Sequence, residues 1–219
     1  RQRRFAYVDG AFTIDLPVDS VRIEVVKGFA YLFVDKVVEV EADGETLDIQ
    51  LDRWFDFPGR PWISGDVHVH HIDPSTALLE MKAEDLNVCN VLTSDFTDDQ
   101  ANFRGEADPL SEANHIVYVN QEYRDNRLGH VNLLNLKELI EPVKPMREFN
   151  YPLNIEASDR VHAQGGHVSW AHFAAWPGLE GPLGLVMRKV DAVELLCTMD
   201  PFHEPIFAAD VVPEVRMNS

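Results

Sequence analysis

The hydrophobic pattern changes period at Phe57-Pro58-Gly59-Arg60-Pro61, and no other feature of the 219-residue chain constrains its fold as strongly. Before this break, apolar and polar residues alternate. Val21, Ile23 and Val25 are interleaved with Arg22 and Glu24, and Leu47, Ile49 and Leu51 with Asp48, Gln50 and Asp52. Period two is the mark of a strand with one buried face. Asp43-Gly44 lies between the runs 37–41 and 46–51, a strong hairpin signal. With a first strand at 12–16, residues 1–58 are expected to form a small antiparallel β-sandwich. After the break, short apolar runs at 63–72, 88–92, 115–119, 131–136, 167–173 and 190–197 alternate with helical or loop segments. Residues 74–87 have helical spacing, and 161–166 and 183–189 are shorter helix candidates. Strand–helix alternation with continuous apolar strands predicts an α/β domain over 59–219, with a parallel sheet covered by helices, open or closed into a barrel.

Composition narrows the function classes. Nineteen basic residues against 37 acidic ones give a formal charge of −18. That balance disfavours nucleic acid, which needs a basic footprint, and anionic lipid. No apolar run reaches the roughly 18 residues of a membrane-spanning helix. The N-terminus, Arg1-Gln2-Arg3-Arg4-Phe5, is basic but is followed by no apolar segment of the signal-peptide kind. Cys89 and Cys197 do not make a disulfide framework, and both read as core thiols.

Three clusters carry candidate chemistry. The first is Ser64-Gly65-Asp66-Val67-His68-Val69-His70-His71. Residues two apart on a strand share a face, so His68 and His70 can converge on one metal ion, while His71 points the other way. The second is Gln121-Glu122-Tyr123 followed by Gly129-His130-Val131, where a carboxylate ends one run and a histidine opens the next. A carboxylate can bridge two divalent ions in a hydrolytic site. The third is Gly165-Gly166-His167-Val168-Ser169-Trp170-Ala171-His172-Phe173, with His172 at the end of a buried-strand pattern and His167 at its start. Each residue has a plainer reading when taken singly: structural histidines on a half-exposed strand, a strand-end acid, a turn residue. Together, a His-x-His, a Glu and two further His, each at a strand start or end, are harder to assign to accident. Arg124 and Arg127 lie between Glu122 and His130 and can contact an anionic substrate, exposed loop charge being the plainer reading. Trp170 and Trp176 read as pocket-lining or core aromatics. His115, His162 and His203 belong to no constellation.

These motifs, in this order, resemble the polymerase-and-histidinol-phosphatase (PHP) superfamily of metallohydrolases, in particular its carbaryl-hydrolase-like branch. Residues 62–70 resemble the family's G-D-x-H-x-H strand, and Ala83-Glu84-Asp85-Leu86-Asn87-Val88 its following helix–strand junction. Gln121-Glu122 with Gly129-His130-Val131 resembles its glutamate and G-H motifs. Residues 165–172 resemble its G-G-x-x-x-x-A-H motif, with Phe173 where proline is usual. Residues 13–54 look like the small β-sandwich that members of this branch often carry. The resemblance implies a distorted (β/α)7 barrel holding two or three metal ions, zinc, manganese or iron. By motif, His68 and His70 would bind one metal, Glu122 would bridge, and His130 and His172 would ligate further positions. Where many relatives carry T-D-H, this chain has Thr93-Ser94-Asp95, leaving Asp95 as the available ligand and weakening the case for a third metal.

A second departure lies at the end. The family's late aspartate-x-histidine pair has no counterpart after His172, and residues 62–219 are fewer than the roughly 200 of a (β/α) barrel. The resemblance therefore implies a C-terminally truncated piece of a longer protein, with an incomplete barrel and an activity that belongs to the intact parent. The implied activity is metal-assisted hydrolysis of an ester, amide, carbamate or phosphoester bond in a small-molecule substrate. A phosphoesterase of the same superfamily is the nearest alternative, and a non-catalytic binding or scaffold module the alternative from another class. An incomplete barrel exposes a sheet edge, through which a homo-oligomer is expected. Relatives that bear the sandwich are often exported, which admits an exported or periplasmic parent.

Overall fold

The computed structural model describes residues 5–55, 62–94, 99–143, 152–173 and 178–195. The N-terminal part holds a two-stranded antiparallel sheet, β1 (Ser20–Val25) with β2 (Val34–Glu39). Arg22 spans the pair, with Nε and Nη2 donating to the two Asp35 carboxylate oxygens at 2.8 and 2.7 Å. The expected sandwich is reduced to this sheet. A turn does form at Asp43-Gly44, where the Gly44 N–H donates to Glu41 O at 3.1 Å. Residues 46–51, however, join no ladder. The chain instead returns against the β1–β2 connection, with Leu32 N donating to Asp52 O and Trp54 N to Ala30 O. Phe29, Phe33 and Val37 stay exposed, so among the described residues no second apolar layer covers this sheet. The sheet docks on the C-terminal end of the first helix through Tyr31 and Arg53, both bonded to Asp85 Oδ2.

The second part is a six-stranded sheet curled into a half-barrel, with its strands in sequential order. The strands are β3 (Gly65–Val69), β4 (Val88–Thr93), β5 (Ile116–Asp125), β6 (Gly129–Leu134), β7 (His167–Trp170) and β8 (Ala192–Val193). Helices α1 (Pro74–Glu84), α2 (Asn154–Ala163) and α3 (Gly181–Val186) lie in the connections. All six apolar runs in this part supply strands. The sheet is mixed, however, not parallel: β6 runs antiparallel to both β5 and β7. The cause is local. Asp125 Oδ1 accepts from the N–H groups of Arg127 and Leu128 at 2.8 and 2.7 Å, which folds a three-residue loop. A loop that short joins only antiparallel neighbours.

Alternation along each strand separates two faces. Cys89, Val91, Val117 and Val119 pack against Ala77 and Met81 of α1. Tyr123, Val131, Leu133, Val168 and Trp170 pack against Ala157 and Val161 of α2. Residues of the opposite register, Asn90, Asn120, Glu122, Asn132 and Ser169, are also buried, yet polar. The half-barrel therefore has an apolar outer layer beneath its helices and a largely polar inner layer, in which Leu92 is a buried apolar residue. Buried polar groups need partners. Asn120 Nδ2 donates to Asn90 Oδ1 at 2.7 Å, and Asn120 Oδ1 accepts from Leu136 N.

Helix α1 starts where Asp73 Oδ1 accepts from Ser75 N and Thr76 N, with Pro74 in the first turn. Helix α2 begins well before the expected 161–166, because its inner face carries buried Asn154 and Ser158, which blur the apolar period. Asn154 Nδ2 donates to Gly129 O at 3.0 Å and ties the helix to the β5–β6 hairpin. Cys89 is a core thiol as expected, and burial, with Asp66 and Glu80 nearby, pushes its pKa up to about 12. Among the described residues no helix is long and apolar enough to cross a membrane.

Trp170 is fully buried at the centre of the α2-side core. Trp170→Ala is expected to lower the unfolding free energy by about 3–5 kcal/mol. Urea titration reads this as a lower midpoint at unchanged slope. A midpoint that does not move would mean that the indole does not support the core.

Candidate metal centre

Five of the expected ligands meet at one rim of the half-barrel. His68 lies near the C-terminal end of β3 and His70 just past it. The β3–β4 register shifts between Asp66 and Val69, and Asp66 Oδ1 accepts from His68 N at 2.9 Å. Such an irregularity re-aims a side chain. Glu122 stands on the inner face of β5 and His130 near the start of antiparallel β6. His172 follows β7 with φ +56°, a left-handed backbone that turns its ring back to the rim.

Glu122 is the centre of the cluster, with its side chain 2% exposed. His70 Nε2 lies 3.0 Å from Oε2, His130 Nδ1 3.1 Å from Oε1 and His68 Nε2 3.6 Å from Oε1. His172 Nε2 is 3.1 Å from His130 Nδ1. The His172 ring stacks on that of His68 at 5.8 Å between centroids. Arg124, two residues along the same strand face, places Nε 3.3 Å from Glu122 Oε2.

Two triads have ligand atoms that all lie within 4.8 Å of one another: His68, His70 and Glu122, and Glu122, His130 and His172. These buried groups could hold a metal ion, with Glu122 common to both. The ring orientations fit one. His70 Nδ1 sits 2.9 Å from Leu92 O, which can only accept, so that nitrogen carries the hydrogen. Nε2 of the same ring faces a Glu122 carboxylate oxygen at 3.0 Å. Two lone pairs at that distance repel unless a cation, a proton or a metal ion, lies between them. Imidazole and carboxylate donors suit zinc, manganese or iron.

Burial would raise the pKa of Glu122, but hydrogen bonds from His130, His68 and His70 overcome it and hold the carboxyl far below its ordinary range. Burial would also lower that of His68; its hydrogen bonds to Glu122 and Glu194 outweigh this and raise it to about 9. His172 moves the other way, through burial and the neighbouring His130 and His68.

The remaining sequence expectations fall elsewhere. Arg127 is exposed in the β5–β6 loop and is not brought into the cluster. Asp95, Trp176, Cys197 and His203 lie outside the described residues. Trp170 faces the outer core, not the site. His71 is exposed with φ +63°, His115 Nδ1 bonds Leu86 O, and His162 Nε2 pairs with Asp191.

Sequence reasoning missed Glu194, immediately after β8, whose carboxylate meets His68 Nδ1 at 3.0 and 3.1 Å. It also missed Asn132, whose Nδ2 donates to Glu194 at 2.6 Å. An acid interrupting the apolar run 190–197 was the available signal for Glu194. Comparison with protein-family models, curated proteins and solved structures yields no match.

In chelator-treated protein the His68 ring is expected to titrate near pH 9, and Glu122→Gln to lower that midpoint. Because the folded value exceeds the ordinary 6.5, this stabilisation is complete below pH 6.5 and is lost as pH rises through about 9. The Glu122 contribution is present above its ordinary 4.5 and is lost as pH falls. Nitrogen-detected NMR of the histidine rings, with melting curves across the same range, reads both. A His68 midpoint at 6.5 would show that the two carboxylates do not clamp the ring.

Proposed function

We propose that this chain is a metal-dependent hydrolase of the PHP type, its curled sheet corresponding to that family's distorted barrel. In this reading His68 and His70 would hold one divalent ion, His130 and His172 would hold a second, and Glu122 would serve both. The observation that carries the reading is the convergence of four imidazoles on one buried carboxylate. Zinc, manganese or iron bound there would supply Lewis-acid chemistry, lowering the pKa of a coordinated water towards neutrality and polarising the oxygen of the bond to be cleaved.

The chain's own residues define the rest. Leu92 O fixes the tautomer of His70, so that Nε2 faces Glu122. The Glu122 charge offsets part of the positive charge of any bound ion, which lets the site form in a buried setting. The Asn90–Asn120 pair fills the inner layer beneath the rim with satisfied polar groups. The substrate proposed is a small molecule with an ester, amide, carbamate or phosphoester bond.

Arg124 favours the phosphoester among these. Its guanidinium lies on the Glu122 face of β5, part-exposed at the rim, where a substrate anion would approach. Guanidinium is well matched to phosphate oxygens. Arg124→Ala is therefore expected to raise KM for an anionic phosphoester by about 10–100-fold, the worth of a charged hydrogen bond, with a smaller effect on kcat. An uncharged naphthyl carbamate should show no comparable rise. Equal losses on both substrates would remove the phosphoester preference.

Metal content per chain tests the main reading. Plasma mass spectrometry of tag-free protein loaded with zinc or manganese should find about two ions. His68→Ala/His70→Ala and His130→Ala/His172→Ala should each lose about one, and Glu122→Gln should weaken both. Wild-type protein that takes up no metal would favour a scaffold without chemistry.

A further inference from the structure

Glu194 belongs to no ligand triad, yet three elements of the half-barrel converge on it. Its Oε1 accepts from Asn132 Nδ2 of β6 at 2.6 Å, and its Oε2 from the backbone N–H of His172 at 2.9 Å. Both oxygens lie within 3.1 Å of His68 Nδ1 on β3. Its side chain is only 9% exposed. A carboxylate this buried requires such donors. The three donors come from the first, fourth and fifth strands of the sheet or the residues just beyond them, whereas Glu194 itself follows the last.

The orientation of His68 carries the inference. With Nδ1 turned to Glu194, the ring directs Nε2 towards Glu122 and the first triad. A carboxylate behind a histidine fixes the tautomer, sets the ring's angle and raises its basicity as a ligand. The same carboxylate holds the backbone of His172 at its left-handed residue, a conformation disfavoured for any side chain but glycine.

We infer that Glu194 is the positioning residue of the metal centre: it orients one ligand from each triad, His68 through its ring and His172 through its backbone. This rests on the metal-centre reading above.

The test is zinc affinity by chelator competition on the full chain, with the His68 tautomer read by long-range proton–nitrogen NMR. In zinc-loaded wild-type protein His68 should carry its hydrogen on Nδ1 and bind zinc through Nε2. Glu194→Gln keeps the shape but turns one acceptor into a donor, so it cannot serve all three N–H groups. It should weaken zinc binding by about 10–100-fold, the usual cost of losing a ligand's supporting partner. Glu194→Ala should do at least as much, and cobalt substitution should show an altered visible spectrum in both. Asp191→Asn, on the same segment but bonded to His162 and Val168, should leave zinc affinity unchanged.

Wild-type protein that binds zinc through His68 Nδ1, or Glu194 variants with wild-type affinity and spectrum, would overturn the inference and leave the metal centre standing. Wild-type protein that binds no zinc would remove the metal centre itself. If both Glu194 variants fail to fold, the wild-type tautomer decides alone.

Discussion

A carboxylate buried at the centre of a protein survives as an anion only if positive charge or strong donors surround it. Glu122 meets that requirement with four histidines and an arginine drawn from β3 and the residue just past it, β5, β6 and the turn after β7. β5 and β6 are neighbours in the sheet, but β3 is adjacent to neither. His68 on the first strand reaches Glu122 on the third only because the sheet curls, so that β3 faces β5 and β6 across the concave side. The curl and the cluster therefore depend on each other. Opening the sheet would take His68 and His70 away from Glu122, and removing Glu122 would leave several imidazoles crowded together.

The division of labour between the two faces follows from this. Barrels commonly fill their interior with branched apolar side chains. Here the inner register is polar, through Asn90, Asn120, Glu122, Asn132 and Ser169. The hydrophobic stabilisation is accordingly carried by the outer layer, where Trp170, Tyr123 and the β-branched residues of β4 to β7 meet α1 and α2. Each strand thus serves two purposes at alternate residues. A one-residue slip in register would exchange them and bury the wrong set on each side. Tyr123 and Glu122 are adjacent in sequence, yet one anchors the outer core and the other the site.

That same alternation explains what was legible in the sequence. The apolar registers of 88–92, 131–136 and 167–173 announce their strands because the outer face is conventional. His68, His70, Glu122, His130 and His172 were legible as a candidate cluster because residues of metal-binding type fall at the starts or ends of successive apolar runs. β5 reads as ending too early, since Asn120, Gln121, Glu122 and Arg124 look like loop residues although Asn120, Gln121 and Glu122 are buried. The antiparallel course of β6 was hidden for the same reason, because the extra strand length shortens the loop. Helix α2 was obscured by buried Asn154 and Ser158. The N-terminal sheet shows the converse: alternation at 46–51 indicates a strand, but pairing is a tertiary matter, and the backbone hydrogen bonds go to the 30–32 segment instead. Glu194 escaped because its significance is a relation between the last strand and the first, which local pattern does not contain.

The closure of the half-barrel differs in kind from the rest of the sheet. Among the described residues, β3 and β8 are its outer strands and do not pair with each other through the backbone. β8 is only two residues long, too short for a ladder to do much. Side chains reach across instead: among them the Glu194 carboxylate, bonded to His68 near the first strand's end and to the backbone of His172 beyond β7, beside the His68–Glu122 contact. A side-chain contact of this sort differs from a ladder, because it fixes one ring and one backbone N–H without fixing strand register. One carboxylate thus orders two members of the Glu122 cluster and links the first strand of the sheet to the end of the last.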